Sequence, residues 1–200
     1  MFYNPATGKR YSEQTLKREI GNLEGINWLE LGIFPLESDI KEKNPVLYGY
    51  YENGIIGNIQ EGFSLKWEKK ERPVGQIKET LVSMAAAKRY AVETGGMMFG
   101  GNLVITDRDS QYMISGAVNA VNLDPTRIIM FKTASGFVSL DAVAILALAR
   151  AVADHVQACF AREGELVDLI NQLGTFDDLK KVYEETINEG WPTYAFPNQI

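Results

Sequence analysis

Gly95-Gly96-Met97-Met98-Phe99-Gly100-Gly101-Asn102-Leu103-Val104-Ile105-Thr106-Asp107-Arg108, a helical pattern to Val121, then Phe131-Lys132-Thr133-Ala134-Ser135-Gly136-Phe137-Val138-Ser139-Leu140-Asp141 and a long apolar-periodic segment form the stretch on which the fold reading turns. Gly100-Gly101 and Ser135-Gly136 supply φ > 0 positions between β-prone residues, as tight hairpin turns require. Thr106 is placed to cap a helix with Asp109 at its third position, and Asp141 to cap the next. In that last helix Ile145, Leu148, Ala149, Val152, Val156, Cys159 and Phe160 recur at helical spacing. Arg150, Asp154, Gln157, Ala161, Glu165 and Asp168 form the opposite, wet stripe. Eight alanines between Ala142 and Ala161 allow another helix to approach closely, from this chain or a second copy. Gly164 reads as an end or bend, followed by helical pieces over 166–173 and 177–188 with Asp177 as a cap.

Working outward, a helix from about Gln76 carries Ile77, Leu81, Met84, Ala85 and Tyr90 on one side and stops at Gly95-Gly96. Residues 1–73 have a different texture, rich in Tyr, Gly and Asn. Asn4-Pro5-Ala6-Thr7-Gly8 predicts a small hairpin, and Ser12 caps a short helix to about Asn22. Gly32 to Glu37 reads as an edge strand because Pro35 has no N–H to donate. Strands over Val46 to Tyr51, ending before Asn53-Gly54, and over Phe63 to Glu68 complete the set. Lys69-Lys70-Glu71-Arg72-Pro73 is read as a charged linker. The expected fold is therefore α+β: a small antiparallel β unit with one helix over 1–73, then helix, hairpin, helix, hairpin and long helix over 74–200, with a helical, acidic C-terminus.

The 200 residues are 46% hydrophobic and 23% charged, enough for one core or two small ones. The net charge of -6 and a pI near 5.0 argue against a nucleic-acid surface, which shows as a clustered basic excess. From Glu163 onward, eight acidic residues face only Lys180 and Lys181. The single cysteine, Cys159, has no intrachain disulfide partner. No signal-peptide pattern opens the chain and no run approaches the roughly 18 apolar residues of a membrane span. Synthesis in a cytoplasm without membrane insertion is the expectation.

Chemistry is harder to find. His155 is the only histidine, which removes two-histidine metal sites and schemes needing separate histidine acid and base. A Cys/His pair at i, i+4 can form one edge of a metal site or an activated thiol, but no further thiol or histidine completes it, and Cys159 falls on the core face. The glycine pairs lack phosphate-loop spacing. Asp107 and Asp109 flank Arg108 at a helix start, where carboxylates suit the helix dipole. No catalytic, cofactor-binding or metal residues are assigned, and no cofactor is expected.

Taken together, Thr106-Asp107-Arg108 with Ser110-Gln111, Lys132-Thr133-Ala134 with Gly136-Phe137-Val138 and Leu140, and His155-Val156-Gln157-Ala158-Cys159-Phe160 with Arg162-Glu163 resemble a bacteriophage family, domain of unknown function 4376. The resemblance covers about residues 76 to 192. It implies a setting, in phage and prophage tail regions beside fibres and baseplates, and brings no catalytic residues. The expectation is a non-enzymatic structural component of the virion tail, made in the host bacterial cytoplasm, oligomeric, with other tail proteins as partners. The alternatives are a tail-fibre assembly factor absent from the finished particle and an envelope-acting enzyme. One docking element is expected at Trp191, Tyr194 and Phe196, in a segment whose two prolines exclude a helix. These aromatics either fold back onto the chain or reach a neighbouring tail protein.

Overall fold

A computed structural model describes residues 1–24, 28–38, 43–134 and 136–193. The chain divides into two compact units, Met1–Arg72 and Pro73–Ile200. The first contains β1 (Phe2–Asn4), β2 (Lys9–Tyr11), α1 (Glu13–Ile20), α2 (Trp28–Leu31), β3 (Phe34–Ser38), β4 (Tyr48–Asn58) and β5 (Gly62–Glu71). Its five strands form one sheet in the order β2-β1-β3-β5-β4. Leu16 from α1, with Ile33, Phe34, Leu36, Leu47 and Leu65, supplies buried apolar side chains. Phe63 meets the rings of Tyr3 and Phe34 edge-on at 5.2 and 5.3 Å.

The second unit contains α3 (Val74–Thr94), β6 (Met97–Phe99), β7 (Asn102–Val104), α4 (Arg108–Leu123), β8 (Ile129–Thr133), β9 (Gly136–Leu140), α5 (Ala142–Gln172), α6 (Phe176–Lys181) and a π turn over Val182–Thr186. Side-chain oxygens accept from the orphan amides at three helix starts: Asp107 from Ser110 N (2.8 Å), Asp141 from Ala144 N (2.8 Å) and Thr175 from Asp178 N (3.2 Å). One cluster joins Val104, Ile114, Leu148 and Val152, and another joins Ala85, Val92, Cys159, Leu166 and Trp191. Burying each large apolar side chain stabilises the unit by about 1.5–3 kcal/mol. At the far end of α5, Lys78 Nζ donates to the Asn171 carbonyl at 2.8 Å.

The class is α+β, but the arrangement expected from sequence is overturned. The first sheet is mixed rather than antiparallel, since β3 and β5 run parallel with Leu36 opposite Phe63 and Ser38 opposite Leu65. A second short helix, α2, accompanies α1. The second unit is not a simple series of helix, hairpin, helix, hairpin and long helix, because Ala134 N donates to Leu103 O at 3.0 Å and so bonds the two hairpins to each other.

Several local expectations change for identifiable reasons. Pro35 lies in a strand paired on both flanks. Leu36 N donates to Met1 O at 2.9 Å, so by alternation the Pro35 nitrogen faces the other flank, where pairing with β5 begins only at Leu36. Asn53-Gly54 does not end β4. It forms a bulge between Glu52 and Ile55, with Gly54 at φ 89°, and the strand continues to Asn58. The Lys69-Lys70-Glu71 run belongs to β5 rather than to a linker, leaving only Arg72 and Pro73 before α3. Helix α5 runs through Gly164 without ending there, and α6 is capped by Thr175 rather than Asp177. Helix α5 is also, by length and composition, apolar enough to cross a membrane. Arg150, Asp154, His155 and Gln157 interrupt its apolar runs, but its alanines and aliphatic residues keep the average high.

Candidate interaction surface and buried charge network

Glu93 occupies the last turn of α3 and is fully buried, an expensive place for a carboxylate unless it is paired. Arg89, one turn earlier, makes a close charged hydrogen bond to Glu93 Oε2 through Nη1 and donates to Glu163 Oε2 of α5 through Nε at 2.9 Å. Arg108, in the first turn of α4, places Nη2 2.9 Å from Glu93 Oε1, an ion-pair contact out of hydrogen-bond alignment. The network thus ties the end of α3 to the start of α4 and the middle of α5. Thr106 does not cap α4, because its hydroxyl donates to the Glu93 carbonyl at 2.6 Å and accepts from Gly96 N at 2.9 Å. Phe160, expected on the core face, is exposed and lies under the Arg89 guanidinium, 4.6 Å from the ring centroid.

Cys159 and His155 do meet, with Sγ 3.8 Å from Nε2, but Nε2 also lies 3.2 Å from the Val92 carbonyl. A carbonyl only accepts, so Nε2 carries the proton in that hydrogen bond and offers the thiol no lone pair. Burial pushes the Cys159 pKa up to about 11; the Glu93 charge adds to this and Arg89 opposes it. That is the opposite of an activated thiol. Among the described residues no group of three or more His, Cys, Asp or Glu side chains is placed to hold a metal ion. Cys159 in the native protein is expected to resist iodoacetamide at pH 8 and to react on denaturation. Rapid native alkylation would contradict this account of the thiol.

Of the expected docking aromatics, Trp191 is 7% exposed, packs with Ala85, Val92, Cys159 and Leu166, and donates Nε1–H to the Ile187 carbonyl at 2.9 Å. Its ring is folded back into this unit's own apolar cluster. Tyr194 and Phe196 lie outside the described residues.

The surface that does present apolar groups lies elsewhere. Helix α4 turns Ile114 and Val121 inward, which leaves Tyr112 and Met113 outward at 76% and 71% exposed. Along β8 and β9 the two-residue alternation turns Phe131, Thr133, Val138 and Leu140 inward and leaves Met130 and Phe137 exposed. Between these elements runs a groove of about 850 Å³ with Gly116, Ala117 and Ala120 of α4 along its lining. Asp107 and Asp109 also line it, together with Lys132. Hydrogen bonds from the Ser110 backbone amide, then its side chain, hold the Asp107 carboxyl below its usual range. Sequence reading missed this groove. Its only early signal is the position of Tyr112, Met113, Met130 and Phe137 out of phase with the core-facing pattern.

A family model described as Domain of unknown function (DUF4376) matches residues 76–186. No curated protein and no solved structure matches the chain. The matched segment contains the groove and all of the buried charge network.

Proposed function

The chain belongs to the DUF4376 family, and from that premise we propose that it is a non-enzymatic structural component of a bacteriophage tail, working at the baseplate or fibre attachment through protein–protein interfaces. The observation that carries the interface reading is the α4/β8–β9 groove, where Tyr112, Met113, Met130 and Phe137 stand exposed together. A clustered apolar surface of this kind marks an interaction site more often than scattered exposed side chains do. The tail setting comes from the family resemblance of the TDR, KTA-GFV and HVQACF segments.

The test is a double variant, Tyr112→Ser with Phe137→Ser, in the phage that encodes this chain. Both side chains are exposed, so the isolated protein should lose no more than about 1 kcal/mol of stability from the two substitutions together. Particles should nevertheless assemble without it or lose infectivity. Normal incorporation and infectivity of the double variant would contradict the groove as the partner surface.

A further inference from the structure

Only 22% of the most apolar 18-residue window of α5 is buried, so the helix shows much of its apolar surface to solvent. Its inward side is filled by Ile145, Leu148, Val152, Cys159, Leu166 and Ile170. Opposite them, residues 143, 147, 150, 154, 157 and 161 are spaced alternately by four and three, the spacing of a coiled-coil seam. They read Val143, Ala147, Arg150, Asp154, Gln157 and Ala161, and all are exposed, Val143 by 76%. A shallow groove beside Leu146 and Ala151 follows the first four. Arg150 and Asp154 enter no ion pair among the described residues.

We infer that this face of α5 pairs with the same face of a second copy, the two helices antiparallel about a two-fold axis at the level of Val152. The charge pattern selects both occupant and direction. In the antiparallel arrangement each Arg150 stands opposite the Asp154 of the other copy, twice over, as an isologous interface requires. Ala147 then stands opposite Gln157, and Val143 opposite Ala161. In a parallel pair, Arg150 would face Arg150 and Asp154 would face Asp154, which like-charge repulsion disfavours. The small alanines let the backbones approach, and the central ion pairs set register more than they add affinity.

This inference does not depend on the tail assignment and is tested on the purified full chain by sedimentation equilibrium. The wild-type protein should dimerise. Arg150→Glu and Asp154→Lys, each alone, should raise the dimer dissociation constant by about tenfold or more, since each sets like charges against each other. Mixing the two variants should restore association, because opposite charges then face across the seam, and the double variant should dimerise by itself. Circular dichroism should show every variant folded. A wild-type monomer at all concentrations would overturn the inference, as would a dimer indifferent to both single substitutions. Flotation with phosphatidylcholine vesicles while the protein stays monomeric in buffer would also overturn it, in favour of a lipid surface covering α5.

Discussion

Arg89→Met is expected to cost about 3–5 kcal/mol, among the largest effects of any single substitution in this chain. The reason is the fully buried Glu93 carboxylate, which among the described residues would be left with Arg108 as its one ion-pair partner, on a side chain 51% exposed. Glu163 would lose its hydrogen bond from Arg89 Nε at the same time. The cost comes from stranding charge already removed from water, more than from the attraction lost. The double variant Arg89→Met with Glu93→Met should therefore be more stable than Arg89→Met alone, because it removes the stranded charge. Urea denaturation of the three proteins measures this. A loss under about 1 kcal/mol for Arg89→Met would show that the network carries little of the α3–α4–α5 packing.

Trp191→Ala is expected to cost a further-reaching 3–5 kcal/mol, roughly the range for truncating a buried aromatic to alanine. Its indole closes the cluster over Ala85, Val92, Cys159 and Leu166, and its N–H satisfies the Ile187 carbonyl. Removal leaves a cavity where α3 and α5 meet and an acceptor without its donor. Thermal unfolding of the isolated protein reads the effect. An unchanged melting temperature would mean that Trp191 contributes nothing to its own unit and would reopen its use as a partner anchor.

Features set by neighbours in sequence were legible; those set by distant contacts were not. Asp141 could be read as a cap because the amide it serves, Ala144 N, is three residues away. Thr106 looked equally suited, but its hydroxyl is committed to the end of α3, thirteen residues back, so Asp107 caps α4 instead. Pro35 correctly signals a missing donor, yet the stagger of β1 and β5 along β3 lets a paired strand tolerate it. Asn53-Gly54 supplies positive φ for a bulge as readily as for a hairpin turn, and pairing across ten residues of β5 decides between them. The periodicity of α5 placed Phe160 on the core face, but its ring stands exposed beneath the Arg89 guanidinium of another helix. The groove depends on α4 standing beside β8 and β9, a placement that no local spacing encodes.

On the proposal that a phage encodes this chain, the most direct measurement of its role is quantitative mass spectrometry of that phage's purified, intact particles. A structural role at the baseplate or fibre attachment predicts recovery of the protein in a fixed ratio to the other tail proteins, surviving high-salt washes. Its absence from intact tails, with abundance in the infected-cell lysate, would contradict that role and favour an assembly factor that leaves before the particle is complete.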